Sequence, residues 1–499
     1  MIPDRFRWAF CQLDTLRRCM PSSICKALNE LPTTLDETYE RVLREIPKEK
    51  REHAHRLFQC LVVAIRPLRV EELAELFAIE FDADAGPNLK EGWRPENAED
   101  AVLSACSTLI AVIQNKGSKF VQFSHFSVKE YLTSDRLRTS ETGNIRHYHI
   151  PLDAAHTILA RACLTVLLQL DETVDKKRLE TFPLAFYAAQ HWVDHAKYED
   201  VASRIQDDME QLFNPSKPYL AAWIWIHDVD SNQIRKTIHN LEERPKQPEL
   251  TALYYAVLCR FSGLANYLII THGENVNAKC GKRGTLLHAA SYKGHLDAVR
   301  LLLDHGANVN TTNESEWTPL CSAYSGGHLD VMRFLLEHGA DVDVYYDSHG
   351  LLLHQTSWYG EEDVLHLLLQ HEADVNARND ENETPLHHAS KMGQADVAEL
   401  LLEHGALVNA QCEFNTTPLD RASNKGLREV VNVLLKHGAR SGNNLRERDD
   451  WTPFRAATFG GYVEIAQLLL EHGAEEVIAA GSEDDEGEEH EDEEGYEED

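Results

Sequence analysis

The chain is short of positive charge. Its 499 residues carry 49 Lys and Arg against 82 Asp and Glu, for a formal net charge of −33. Such an excess argues against bulk attraction to nucleic-acid phosphates or anionic lipid, so neither nucleic acid nor a membrane is expected as a partner. Ten cysteines are present, but their spacing follows no disulfide framework and no CxxC pair occurs. Most lie in apolar contexts, such as Cys60 before Leu61, Val62 and Val63, and read as buried free thiols in a reducing compartment. Long hydrophobic runs are missing too. The most apolar stretches, 159–170 and 219–226, are too short to span a bilayer. Residues 1–18 are broken by Pro3, Asp4, Arg5 and Arg7, unlike a signal peptide. The expected location is cytoplasmic, with the nucleus as the other choice.

Motifs of catalysis are equally scarce. There is no GxxxxGK[ST] phosphate loop, no HExxH and no GxSxG elbow. The nearest approach to a phosphate loop, Gly281 to Thr285, lacks the upstream glycine. Ser124, His125 and Ser127 read as a strand-to-helix corner with Ser127 as cap, not as a nucleophile with its base. His191 and His195 stand four apart on a helical pattern but bring no further metal ligand. No catalytic residue, metal site or cofactor is expected, and the chain does not read as an enzyme.

What the chain does have is a period. His-Gly-Ala or a close variant recurs with its glycine at Gly273, Gly306, Gly339, Gly405, Gly438 and Gly473, and His371-Glu372-Ala373 fills the gap. A second marker keeps the same phase at Thr251, Thr285, Thr318, Leu351, Thr384, Thr417 and Thr452. Each Thr can cap a helix whose first turn tolerates the following Pro. Leu286, Ala289 and Ala290 give a short helix with a small-residue face, and Val299, Leu302 and Leu303 give one apolar stripe on the next. Ten of the 26 histidines fall into this register, seven at the helix ends and the others at His288, His354 and His387, which points to polar capping and inter-repeat hydrogen bonds.

The period and the openings Thr318-Pro319-Leu320, Thr384-Pro385-Leu386-His387, Thr417-Pro418-Leu419 and Thr452-Pro453-Phe454 resemble the ankyrin repeat. One such helix pair cannot bury its apolar face alone, so about seven stacked copies are expected to close a core between neighbours. The fourth departs twice from the pattern. Leu351-Leu352 replaces Thr-Pro, and Glu372 replaces the helix-ending glycine, so a weak joint is expected there.

The preceding residues read as another architecture. Thr34-x-x-Glu37 is a capping box ahead of the stripe Leu35, Tyr39, Val42, Leu43 and Ile46. Helical patterns follow at 53–64 and 70–77, then a loop over 82–100. An apolar stretch at 103–113 fits helix, strand or one of each, and a turn follows at 115–118. A strand at 120–123 and a helix begun by Ser127-x-x-Glu130 complete the series. This order fits a small winged-helix-like domain.

Phe6 to Asp14, Leu31 to Tyr39, Arg66 to Leu73 and Phe123 to Leu132 resemble the segment downstream of the NACHT ATPase domain in fungal NOD-like ankyrin-repeat proteins. That resemblance implies a part of a signal-transducing ATPase. On it, Met1 falls where the nucleotide-binding domain ends, so the chain reads as truncated.

The expected fold is therefore mostly α, an ankyrin-repeat solenoid preceded by a helical and winged-helix-like region. The parts are a helical segment at 1–50, a winged-helix-like domain at 51–145, a helical spacer at 146–245 and repeats at 246–478. A disordered acidic tail at 479–499 ends the chain, with 13 acidic residues among its last 17. The function expected is non-catalytic binding of a protein partner whose identity the sequence does not name. The alternative is a fragment of a NOD-like ATPase. Ankyrin stacks usually meet partners at their turn tips and first helices. Carried onto this chain, those positions are Tyr292, Lys293, Tyr345, Tyr346, Trp358, Tyr359, Lys391, Met392, Trp451 and Phe459. Tyr, Trp and Met are residue types that interfaces favour.

Overall fold

The computed structural model describes residues 34–81, 87–115, 117–139, 143–171, 173–229, 250–280, 284–347, 350–440 and 452–474. The expectations for residues 1–33, the linker at 242–248, Trp451 and the acidic tail lie outside the described residues. The chain divides into two compact units, Met1–Asn308 and Val309–Asp499.

The first unit opens with α1 (Leu35–Glu45), and its capping box forms as expected. The Thr34 hydroxyl accepts from the Glu37 amide at 3.1 Å, while the Glu37 carboxylate accepts from the Thr34 amide at 3.4 Å. Tyr39, Val42 and Leu43 are buried on its inner stripe. Next come α2 (Arg51–Val63), β1 (Leu68–Arg69), α3 (Val70–Glu75) and α4 (Ala98–Cys106). The hairpin β2 (Ile110–Asn115) and β3 (Ser118–Phe123) and the helix α5 (Phe126–Leu132) follow. The ambiguous stretch at 103–113 is thus one helix end and one strand. Gly117 makes the hairpin turn at φ 86°, and the antiparallel sheet runs in the order β1-β3-β2. This is a winged-helix-like region.

Two local readings need correction. The span 82–100 is not all loop. Ile79–Glu80 pairs with Asn88–Leu89, and α4 begins within the span. Asn97 caps α4 through Asp100 N–H, and the polar start Glu99-Asp100 is a helix N-terminus that reads like a loop by composition alone. Ser127 does not cap α5. His125 does so, accepting the Ser127 amide at Nδ1 (3.3 Å), while the Ser127 hydroxyl bonds His125 Nδ1 at 2.6 Å and the Tyr39 hydroxyl at 2.8 Å.

The four helices α6 (Leu152–Leu167), α7 (Ala185–Ala196), α8 (Gln206–Leu212) and α9 (Tyr219–Ile226) are joined to this domain by buried ions. Glu72 receives a two-pronged Arg66 guanidinium, both contacts 2.8 Å, and a third donor from Arg69 at 2.9 Å. Arg69 reaches the Pro183 carbonyl at 3.3 Å. Glu75 accepts from the Leu184 amide at 2.7 Å and from Arg94 at 2.6 Å. Both carboxylates are buried, so these contacts compensate charges that would otherwise be costly to desolvate. His195 bonds Tyr187 and His156, whereas His191 faces Asp194, so the i,i+4 pair does not converge on one point.

The first helix pair, α10 (Ala252–Leu258) and α11 (Ser262–His272), packs directly on this helical segment. Trp192 stacks on Phe261 with ring centres 5.3 Å apart, and Trp223 meets Tyr255 at 6.4 Å. Tyr254 and Tyr255 are buried where a solvent-facing terminal repeat would carry polar residues. The second pair is α12 (Leu286–Tyr292) and α13 (Leu296–Asp304).

The second unit holds five more pairs: α14 (Pro319–Ser325) with α15 (Leu329–Glu337), α16 (Leu352–Tyr359) with α17 (Glu362–Gln370), α18 (Pro385–Met392) with α19 (Ala395–Glu403), α20 (Pro418–Lys425) with α21 (Arg428–Lys436), and α22 (Pro453–Phe459) with α23 (Val463–Glu471). Within it α16, α18, α20 and α22 lie side by side in chain order. Six described cysteines, Cys60, Cys163, Cys259, Cys280, Cys321 and Cys412, are free and buried.

Candidate functional site

Two repeating devices fix where each exposed side chain points. The first is a histidine bridge. The Thr384 amide donates to His387 Nδ1 at 3.1 Å, which leaves the proton on Nε2 to donate to the Thr416 carbonyl of the next repeat at 3.1 Å. His354 Nε2 reaches the Glu383 carbonyl in the same way at 3.1 Å. Burial chiefly pushes both imidazoles down to about 4, so they stay neutral and keep this tautomer. Beneath them lies Glu383, 2% exposed, bonded to Arg421 and to His388 at 3.2 Å. Burial would raise that carboxyl, but the His388 hydrogen bond and the Arg421 charge outweigh it and hold it at about 2.

The second device is an amide ladder between turns. The Asn376 side chain donates to the Gly405 carbonyl at 3.2 Å and accepts the Leu407 amide at 2.8 Å. Asn310 does the same with Gly339 and Asp341, and Asn409 with Gly438 and Arg440. The fourth repeat breaks the rung. Its residue there is Asp343, whose carboxylate accepts the Asp374 amide at 3.1 Å. An ionised carboxylate has no N–H to give the Glu372 carbonyl. Glu372 itself sits at φ 65°, the left-handed conformation that glycine fills elsewhere. Leu351 makes no side-chain cap. A short ribbon of β4 (Tyr345–Asp347) and β5 (Gly350–Leu351) takes over part of that role, and the Leu352 amide donates to the Val344 carbonyl at 2.8 Å.

On this frame the second unit groups several of the expected contact residues. Tyr345 is 50% exposed on the ribbon, its hydroxyl 3.4 Å from Asp380. Tyr359 is 61% exposed at the end of α16, and Trp358 beside it is half-buried under the Lys391 ammonium, 5.1 Å from the ring centre. Met392 is exposed at the end of α18. Tyr346 is largely spent inside the repeat. It stacks on Trp317 at 4.9 Å, and its carbonyl accepts the Trp317 indole N–H at 2.7 Å. Phe459 is 84% exposed, but among the described residues no helix pair follows its own, which accounts for much of that exposure. Tyr292 and Lys293 belong to the other compact unit, where the Lys293 ammonium lies 5.8 Å from the Tyr292 ring centre.

Sequence reasoning missed Tyr324, Glu361 and Asp380. Tyr324 meets Tyr346 edge-on at 5.0 Å. Burial and a hydrogen bond to the Glu361 carboxylate raise its hydroxyl above the ordinary range. Its place one residue before Ser325, in the register of Ser357 and Ser390, was the available signal. Elsewhere, a cavity of about 300 Å³ in the winged-helix-like region is lined by His53, Arg56, Leu73, Phe77, Phe81 and Trp93. Its Arg56 is already paired with Glu52 at 3.0 Å. Among the described residues no group of three or more His, Cys, Asp or Glu is placed to hold a metal ion, and no helix is long and apolar enough to cross a membrane.

Comparison with known families agrees with this geometry. Residues 253–346 and 353–444 match the model described as ankyrin repeats (3 copies), and 449–480 match the single ankyrin repeat. These helix pairs are ankyrin repeats. Residues 40–142 match the winged helix domain of GPI inositol-deacylase. A fungal relative, azaphilone pigments biosynthesis cluster protein L of Monascus ruber, is 30% identical over 289 residues, which cover 55% of this chain and 60% of the relative. The human ASB11 ankyrin repeat domain is 26% identical with a TM-score of 0.38, covering 46% of this chain and all of that one.

Proposed function

We propose that the chain is a non-catalytic scaffold that binds a protein partner through its ankyrin repeats, with the fourth repeat at the centre of the contact. The observation that carries this is the group Tyr345, Trp358 and Tyr359, exposed or half-exposed together on the repeat whose ladder rung is broken. Aromatic side chains present large contact area at small entropic cost, and a partner that buries them favours the ordered state of a loose joint by mass action. Lys391 and Met392 extend the group onto the next repeat. Tyr292, Lys293, Trp451 and Phe459 are proposed as further contact residues.

Nucleic acid is not the proposed partner. In a winged helix the helix before the hairpin enters the groove. Here that helix, α4, carries Glu99 and Asp100 and no Lys or Arg, and Glu99 already pairs with Lys119 of the wing. The second reading is the sensor part of a NOD-like signal-transducing ATPase, supported by the motif resemblance around 6–14, 31–39, 66–73 and 123–132. Transcript sequencing upstream of Met1 tests it, since a phosphate loop in the same reading frame would favour it.

The leading reading is tested by capture from native lysate with the full chain and with a Trp358→Ala/Tyr359→Ala variant. Partners retained by the wild type and lost by the variant support it. Equal capture by both would remove the fourth repeat from the interface.

A further inference from the structure

We propose that the fourth-repeat face takes a Lys- or Arg-rich segment of its partner, an inference that rests on the protein-binding reading above. Between Arg333 and Arg378 the sequence holds nine Asp and Glu and not one Lys or Arg. This stretch also carries the exposed rings. The Glu361 carboxylate is solvent-exposed one position beyond Gly360, next to Tyr359, and is hydrogen-bonded to Tyr324. Exposed Asp380 stands beside the Tyr345 hydroxyl. An incoming guanidinium or ammonium therefore meets a ring face and a carboxylate together, the combination that binds organic cations most firmly.

The molecule shows the chemistry on itself. The Lys391 ammonium lies over the Trp358 ring at 5.1 Å. Two cations of the following repeats are otherwise engaged. Arg378 is held by the carbonyls of Asn382 and Gln411 at 3.0 and 2.8 Å, and Arg421 is turned inward to Glu383. Carboxylates crowd one another here. Burial first, and then the neighbouring Asp374 and Asp341, raise the Asp343 carboxyl against the opposing hydrogen bond from the Asp374 amide. A partner bringing positive charge relieves that crowding, whereas an acidic one adds to it.

The experiment must separate this face from the acidic run at 483–499, which attracts cations with no rings but His490 and Tyr496. Nona-arginine is titrated into the full chain by calorimetry at about 0.15 M and again at about 0.5 M salt, where long-range attraction is screened. Three variants run in parallel: Tyr345→Ala/Tyr359→Ala, which changes no charge; Glu361→Gln, at an exposed side chain; and a chain lacking 483–499. The double variant is expected to lose at least tenfold in affinity at both salts and Glu361→Gln severalfold. Removal of the acidic run should matter only at the lower salt. Nona-glutamate should not bind. Wild-type affinity in the double variant with an unchanged melting temperature would overturn the proposal, as would loss of all binding when 483–499 is removed. If nona-arginine fails but Trp358→Ala/Tyr359→Ala still abolishes capture of a native partner, only the cationic chemistry falls. If that variant captures normally, the face itself falls.

Discussion

His387 shows how a single side chain is made to do two things. Its Nδ1 completes the cap of its own helix, and its Nε2 proton is thereby aimed at the next repeat. Protonation would put a second N–H where the Thr384 amide already points. The folded values of His354 and His387 lie near 4, below the 6.5 of the free imidazole. Below pH 6.5 the unfolded chain takes up protons that the folded chain refuses, so stability falls until pH reaches about 4, by up to roughly 3 kcal/mol for each residue. Glu383 adds a separate loss at lower pH. Its value of about 2 lies below the ordinary 4.5, so its contribution is complete above pH 4.5 and disappears as pH falls toward 2. Urea midpoints at pH 7, 5.5 and 4.5 should drop steadily in the wild type. They should drop less in His387→Gln, which keeps a capping side chain without a basic group. Equal slopes for both proteins would refute this account. At Glu372 the backbone is the issue. Glycine at φ 65° avoids a cost of about 1 kcal/mol, so Glu372→Gly should raise the midpoint. A lower midpoint would mean that the Glu372 side chain contributes more than its backbone costs.

The element proposed to be weak is a rung, not a helix. α16 and α17 are bounded by ordinary helix-to-helix packing, but the turn that should tie the fourth repeat to its neighbour has Asp343 facing Glu372 where the pattern has an amide facing a glycine. Asp343→Asn restores the missing donor and should stabilise by about 1 kcal/mol. Combined with Glu372→Gly, the gain should differ from the sum of the two single gains, because the residues share one rung. Hydrogen exchange reads the same joint without mutation. Amides between Gly350 and Asp374 should exchange fastest in the interior of the second unit and slow when a partner is bound. Uniform protection across its repeats in the free protein would remove the weak joint. A glycine two repeats further on behaves differently. A Cβ on Gly426, at φ 74°, would lie 2.4 Å from the Tyr462 ring, so close approach and backbone sign both demand glycine there.

At the scale of the molecule, the helices from Leu152 to Ile226 serve the repeats by covering the aromatic outer face of the first one. Trp192, Phe213, Trp223, Tyr255 and Phe261 form one shared core. A fragment starting at 246 exposes that face, and uncovered repeat ends are prone to aggregate. Such a fragment should melt lower than one starting at 150 and show concentration-dependent light scattering. Equal melting temperatures and monodisperse behaviour for both fragments would deny the helices this covering role. Charge at this scale favours solubility and disfavours acidic partners, but it does not by itself select the contact face, because much of the excess lies in the run at 483–499 as well as between Arg333 and Arg378.

The 33-residue period, the Thr and His caps and the helix-ending glycines were legible in the sequence because they obey local rules: a hydroxyl three residues before an amide, a residue at positive φ. The same locality revealed the Thr34 box, the turn at Gly117 and the misfit at Glu372. It misled at Ser127, where His125 is an uncommon cap, and at the start of α4, where a polar first turn reads like a loop. What only the tertiary structure decided are pairings between residues about 30 or more positions apart. Trp317 and Tyr346 are absorbed by stacking on each other, while Tyr345 and Tyr359 remain exposed. Asp343 proves to hold the Asp374 amide, two residues beyond Glu372 at its positive φ. Trp192 and Trp223 prove to be the cover of the first repeat. A side chain's fate in a stack depends on which neighbouring surface reaches it first, and that is a property of register between repeats, which no single stretch of sequence contains.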